Sequence, residues 1–479
     1  MALPTSRNLI DGTLVGDPDQ ESISPGDGAV LGLFAAGGEP EAAAAIEAAA
    51  RAFDSTEWSR DRHLRHRVLN AVADRIEART DELALALARE NGKILREAHF
   101  ELSLTVPKLR YYAALALTDA GRAIEVSPGL HMRSVAEPAG VAGVIVPWNS
   151  PIVLAVRSFA PALAAGCTVA MKMPAQTGIV NGILHEILAD TPGLPAGVIN
   201  SVTESGSALA QALVSSPDVE VVSYTGSTAV GRTIMANAAR HLKRLSLELG
   251  GKSPMIVFDD ADLEAVVPTL TAAVTTFAGQ FCMTGSRVLA HSAIAGELRE
   301  RLVASLGTVH PAPGDALDSP MGPMIDAATA RRVEKVLADA EADTTVEVLL
   351  RGGQVGGPDS AFVAPALLAP KESSHPVVQG EIFGPVATFE VFETEDEAVE
   401  LANATDYGLA ASVWSRDIDR PTRVARRIKA GTVWTNTWAV VADEFEEGGF
   451  KQSGVGRLNG VGALAEFQEV KTYVHNVGA

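Results

Sequence analysis

The chain has 479 residues, 47% of them apolar and 20% charged, a composition that excludes both a small stapled scaffold and a disordered polymer. Its 39 basic against 59 acidic side chains leave a net charge of −20, which argues against a nucleic-acid or anionic-membrane surface and obliges any anionic ligand to be held by local groups. Only two cysteines occur, Cys167 and Cys282, so a disulfide framework is excluded and a reducing compartment is the default. The segment from Met1 through Asp11 lacks an apolar core behind a basic start, and no stretch reaches the ~18 apolar residues of a membrane span, which makes the cytoplasm the expected address.

Along the chain, the Ala-rich run Glu41–Phe53 and the spacing of Leu64, Val68, Leu69, Val72 and Ile76 predict a mostly helical first third. Ser127-Pro128-Gly129 between Arg122–Val126 and Leu130–Val135 predicts a projecting hairpin. Beyond Gly140, short apolar runs at Val141–Val146, Thr168–Met171, Val198–Val202 and Val219–Ser223 alternate with helical segments, the pattern of a parallel, doubly wound α/β sheet. From about Ser253 a second α/β lobe begins, with a helix over Ala261–Phe277 and strands at Arg287–Ala290, Val346–Leu350, Ala411–Trp414 and Thr432–Thr435. The alternation of Val470, Thr472 and Val474 predicts a lone edge strand that needs a partner; the Arg122–Val135 hairpin is the expected one, with a subunit boundary as one place for the pairing.

Four segments carry candidate chemistry. Tyr224-Thr225-Gly226-Ser227 closes a strand and opens a helix, either an anion-facing turn or a plain turn capped by Ser227 or Thr228. Cys282, in Phe281-Cys282-Met283-Thr284-Gly285, stands among small residues, whereas Cys167 reads as a buried small hydrophobe; a buried role for Cys282 also stands open. Glu248, between two leucines and before Gly250-Gly251-Lys252, is either a general base with a raised pKa or one half of a strand-end ion pair with Lys252. Asn149, after the first parallel strand, is either an oxyanion donor or a turn residue between Pro147 and Pro151. The ten histidines lack metal-ligand spacing, so no catalytic metal is expected, and Asp443-Glu444-Phe445-Glu446-Glu447 reads by default as a solvated loop.

Taken together and in order, Pro147-Trp148-Asn149, Lys172, Thr225-Gly226-Ser227, Glu248–Lys252, Gly279-Gln280-Phe281-Cys282, Glu381–Pro385 and Gly448–Gly454 resemble the motifs of the NAD(P)-dependent aldehyde dehydrogenase superfamily, over nearly the whole chain. The resemblance implies a Rossmann-like cofactor domain (1–120 and 138–250), a second α/β catalytic domain (251–452) and a small β oligomerisation element (121–137 and 466–479). It implies a homodimer or homotetramer that oxidises a small aldehyde to the acid. Cys282 would be the nucleophile, Asn149 an oxyanion donor and Glu248 the base for hydrolysis. Val146, Pro147, Trp148, Lys172, Ala175, Gly226, Ser227, Leu249, Glu381 and Phe383 would hold the NAD or NADP. The family's aldehyde tunnel falls on Phe100, Leu104, Leu154, Arg157, Phe281, Trp438 and Glu447, which suits an apolar or aromatic aldehyde.

The sequence departs from the family pattern in two places. Ala175 replaces a glutamate that binds the adenosine ribose in many NAD-preferring relatives, so NADP is expected to be tolerated or preferred. Arg157 and Glu447 bring opposite charges to the tunnel, where they either read a charged substrate or neutralise each other. The alternatives are a semialdehyde or aminoaldehyde dehydrogenase and a thiol-dependent esterase using Cys282, Asn149 and Glu248 without hydride transfer.

Overall fold

The computed structural model describes residues 3–118 and 121–478, so the extreme ends of the expected 1–120 and 466–479 segments lie outside the described residues. Two sheets organise it. The first has eight strands in the order Gly454–Val455, Arg244–Glu248, Val221–Thr225, Val141–Ile145, Thr168–Pro174, Ile199–Glu204, Asn8–Ile10, Thr13–Val15. Its five central strands are parallel, and the strands at both ends run antiparallel. All five residues of Val141–Ile145 and of Val221–Thr225 are buried, as required of strands covered by helices on both faces.

The chain passes from Val141–Ile145 outward to Thr168–Pro174 and Ile199–Glu204, then crosses back to Val221–Thr225 on the other flank. The connections therefore diverge at the carboxyl end of Val141–Ile145, which opens a crevice between them. Residues 146–150 cross that crevice, and Pro151 starts the buried helix Pro151–Ala165, which ends on Gly166 in the left-handed region (φ 101°).

The second sheet runs in the order Val346–Leu350, Ala366–Pro370, Val386–Phe392, Arg287–His291, Pro254–Val257, Ala410–Trp414, Thr432–Thr435. All its pairings are parallel except the first. Gly250 and Gly251 carry the chain between the sheets, from the last residue of Arg244–Glu248 toward Pro254–Val257.

The expected hairpin forms over Arg122–Ser127 and Leu130–Pro138, and Gln468–Asn476 pairs antiparallel with its second strand through nine residue pairs. This pairing lies within the chain, not across a subunit boundary. The first third is mostly helical as expected, in Glu39–Ser55, Arg62–Ala78, Thr80–Glu90 and Leu95–Leu115, with short strands between Thr5 and Phe34 added before these helices. Among the described residues no helix is long and apolar enough to cross a membrane.

Candidate active site

Asn149, Cys282, Phe100, Leu104, Leu154, Arg157, Phe281 and Glu447 converge on one cleft, between the crevice of the first sheet and the second lobe. Glu101, Lys108, Ser150, Val153, Phe277, Met283, Ala439 and Val441 complete its lining. Trp438 packs against Phe281 edge-to-face at 6.0 Å, and its indole N–H donates to the Met283 carbonyl at 3.0 Å.

Cys282 is only partly buried, unlike Cys167. The loop before it is bent by Phe277 and Ala278, both at positive φ, and by Gly279 at φ 70°. A Cβ on Gly279 would lie 2.2 Å from the Gly384 backbone, and one on Gly251 would lie 2.5 Å from the Cys282 carbonyl oxygen, so two glycines permit the close approach that sets the cysteine. Low-dielectric surroundings push the thiol up to about 12, opposed by the Arg157 guanidinium and reinforced by the charges of Glu381, Glu248 and Glu447.

Asn149 is 6% exposed, and its amide donates to the Gln280 carbonyl at 3.1 Å. An amide carries two N–H donors, so one remains for an oxygen in the cleft. The loop is braced from both sides. Asn91 donates to the Trp148 carbonyl at 2.7 Å, and Lys93 donates to Ser150 Oγ at 2.8 Å while pairing with Glu101. Glu101 in turn accepts the Ile152 and Val153 N–H groups at the start of the helix.

Glu248 ends its strand with 4% exposure, and its Oε1 has no hydrogen-bond partner. Burial raises the carboxyl pKa to about 7; Arg157 opposes that shift and Glu447 adds to it. The alternative ion pair with Lys252 does not form. The glycine pair delivers Lys252 to the second sheet, where its buried Nζ also has no partner and burial, with Arg287 close by, lowers its pKa to about 7. The Glu248 loop is fastened by Ser453, whose carbonyl accepts the Leu249 N–H at 2.9 Å and whose hydroxyl donates to the Gly250 carbonyl at 2.7 Å.

Arg157 and Glu447 resolve their open question by pairing with each other. Arg157 Nη1 lies 3.0 Å from Glu447 Oε2, and Nη2 donates to Thr225 Oγ1 at 3.0 Å. Asn459 donates to the other Glu447 oxygen at 2.6 Å. Lys108 donates to the Asn459 side-chain amide oxygen at 2.5 Å and pairs with Asp443 at 2.5 Å, so part of the expected solvated acidic loop is an internal partner.

Of the expected dinucleotide residues, Val146, Lys172, Gly226 and Leu249 lie at or just beyond the carboxyl ends of parallel strands of the first sheet. Ser227 caps the helix Thr228–Ala238 through the Val230 N–H, so the capping reading holds at a turn that also faces open space. A second cleft is walled by the apolar side chains of Ile145, Ala210, Val214, Val230 and Ile234 and by Tyr224. Gly231 lets the helix approach Leu249, where a Cβ would come within 2.6 Å. Val146 is buried, while Lys172 and Ala175 are half-buried at the carboxyl rim of Thr168–Pro174. Across the crevice, Glu381 accepts the Gly251 N–H at 3.0 Å and Phe383 meets Trp148 edge-to-face at 5.6 Å. Among the described residues no group of three or more His, Cys, Asp or Glu is placed to hold a metal ion.

Comparison with known proteins agrees with this geometry. Residues 15–473 match the model of the aldehyde dehydrogenase family. The chain is 39% identical to aldehyde dehydrogenase 1 of Tanacetum cinerariifolium over 94% of its length and 91% of that protein's. It is 37% identical to betaine aldehyde dehydrogenase of Bacillus subtilis, covering 95% of this chain and 93% of the relative. Succinate-semialdehyde dehydrogenase of Paenarthrobacter nicotinovorans is 36% identical, with coverages of 91% and 97%. The crystal structure of Staphylococcus aureus betaine aldehyde dehydrogenase in complex with NAD+ superposes with a TM-score of 0.95 at 34% identity, over 99% of this chain and 95% of that one. The chain thus belongs to the aldehyde dehydrogenase family, as an NAD(P)-dependent oxidoreductase acting on aldehydes.

Proposed function

We propose that the protein oxidises an apolar or aromatic aldehyde to its carboxylic acid, with Cys282 as nucleophile, Asn149 as oxyanion donor and Glu248 as base. The observation that carries the substrate class is the pairing of the cleft's ionised groups. Arg157 is met by Glu447, Lys108 by Asp443 and Glu101 by Lys93. A carboxylate- or ammonium-bearing aldehyde would find no free counter-charge among them, while Phe100, Leu104, Leu154, Phe277 and Phe281 offer apolar contact.

As placed, Cys282 holds its proton at neutral pH, so attack on the aldehyde carbon requires a base. Glu248, with a pKa of about 7, is half ionised there and takes that proton. Attack forms the C–S bond of a thiohemiacetal, and the free N–H of Asn149 donates to the oxygen that gains charge. A bound nicotinamide supplies the hydride acceptor that turns this adduct into a thioester. Once Glu248 has passed that first proton to solvent, it removes a proton from the water that hydrolyses the thioester, and the departing thiolate takes up a proton to return the thiol.

Lys172, Ala175, Gly226, Ser227, Leu249, Glu381 and Phe383, with Val146, Pro147 and Trp148, would hold the dinucleotide, and Ala175 itself offers no carboxylate against a 2′-phosphate. Exposed Ile124, Val126, Val470 and Val474 on the three-stranded sheet support assembly into a homodimer or homotetramer. The test is growth of reduced-nicotinamide absorbance across aliphatic, aromatic, carboxylate-bearing and ammonium-bearing aldehydes. Aromatic or apolar aldehydes should give the highest kcat/KM, and Cys282→Ala should abolish turnover while still binding dinucleotide. Preference for a charged aldehyde refutes the substrate class, and turnover without the thiol refutes the nucleophile.

A further inference from the structure

Glu204 is a buried carboxylate that the chemistry above does not use. It ends the strand Ile199–Glu204 at the carboxyl rim of the first sheet, in register with Pro174, and Val202 on the same strand is in register with Lys172. The residue is 2% exposed. One oxygen accepts the Leu209 N–H at 2.8 Å, at the start of the helix Ala208–Ser215; the other is buried without any partner. Its charge acts on the half-buried Lys172 ammonium. Close by in sequence, Ser207 and Ala210 line the second cleft.

A carboxylate is an acceptor only, and a buried oxygen left without a donor is costly, so this one is suited to an incoming hydroxyl. The adenosine ribose of NAD carries a 2′-hydroxyl that can donate; the 2′-phosphate of NADP offers only negatively charged acceptors. Resting on the dinucleotide reading above, we infer that Glu204 supplies, from the neighbouring strand, the ribose-binding carboxylate missing at Ala175, and that it selects NAD over NADP. Lys172 then serves as donor to the ribose and as counter-charge to Glu204, leaving less of its field for a phosphate. On this inference the alanine does not by itself open the site to NADP.

The experiment is calorimetric titration of NAD and of NADP, without aldehyde, into the wild-type protein, Glu204→Gln and Glu204→Ala. Gln keeps an oxygen for the Leu209 N–H but loses the charge, so it separates ribose binding from helix capping. Wild type should bind NAD at least about tenfold more tightly than NADP, and Glu204→Gln should shift that ratio about tenfold or more toward NADP, as expected for loss of a hydrogen bond to a charged group. Equal or tighter NADP binding by wild type overturns the inference without any variant. A ratio unchanged in Glu204→Gln also overturns it, and assigns Glu204 to capping alone. Wild-type protein that binds neither dinucleotide removes the cofactor reading itself, an outcome distinct from both.

Discussion

Removing Glu447 tests the electrostatics of the cleft most directly. The Arg157 and Glu447 side chains are 6% and 11% exposed, and Arg157 Nε already has no partner. Glu447→Ala leaves the guanidinium only the Thr225 hydroxyl, and breaking one half of a buried pair in this way costs about 3–5 kcal/mol. Arg157→Met strands Glu447 against the Asn459 amide at a similar cost. The double variant Arg157→Met/Glu447→Leu removes both charges and is expected near wild-type stability, so the two single-variant losses should cancel in full and the cycle should give a coupling of at least about 6 kcal/mol. Thermal and urea denaturation of the four proteins measures it. A second readout is catalytic: in Glu447→Ala the freed guanidinium should raise kcat/KM for a carboxylate-bearing aldehyde about tenfold relative to an uncharged one of equal size. A coupling below about 1 kcal/mol, the range of an exposed pair, together with unchanged substrate preference, would refute the claim that the two charges neutralise each other in a dry cleft.

Three further outcomes are expected. Release of acid from the acyl-enzyme should slow about tenfold per pH unit below about 7, because Glu248 acts only when ionised, and rapid-quench measurements on Glu248→Gln should show a low, pH-independent rate. His185 is held neutral between the Arg7 carbonyl and the Ser201 hydroxyl, and burial lowers its pKa from 6.5 to about 4. The unfolded chain therefore takes up a proton that the folded one refuses. Stability should be fully present above pH 6.5 and fall by about 3 kcal/mol in total as pH drops to 4, a loss that denaturation of His185→Gln should not show. Gly251→Ala places a methyl 2.5 Å from the Cys282 carbonyl oxygen, backbone that cannot swing aside, and should cut kcat about a hundredfold with the circular dichroism spectrum unchanged.

The parallel core was legible because each buried strand is a short apolar run set between helical segments, as at Val141–Ile145 and Thr168–Pro174. The strands between Thr5 and Phe34 were not, since pieces such as Thr5–Ser6 and Asn8–Ile10 are too short to establish a period and are held by partners far along the chain. Cys282, Asn149 and Glu248 stood out through their neighbours in sequence. Lys108 and Asn459 did not: they are 351 positions apart, and only the folded helix Leu95–Leu115 brings the lysine to the cleft. Glu204 escaped for a related reason, because its role depends on an adjacent strand and not on the spacing around it.

The antiparallel pairing of Gln468–Asn476 with Leu130–Pro138, and of Gly454–Val455 with Arg244–Glu248, bears on how the chain is made. On the ribosome, the hairpin and the edge of the first sheet emerge long before their partners, while the strands of the second sheet, Pro254–Val257 through Thr432–Thr435, all appear in between. The second lobe therefore has its strands complete while the first still presents bare edges during translation. Those open edges, and the apolar side chains of Ile124 and Val126 beside them, are natural clients for a chaperone until Gly454–Val455 and Gln468–Asn476 emerge, and chains truncated before those strands would be prone to edge-to-edge aggregation.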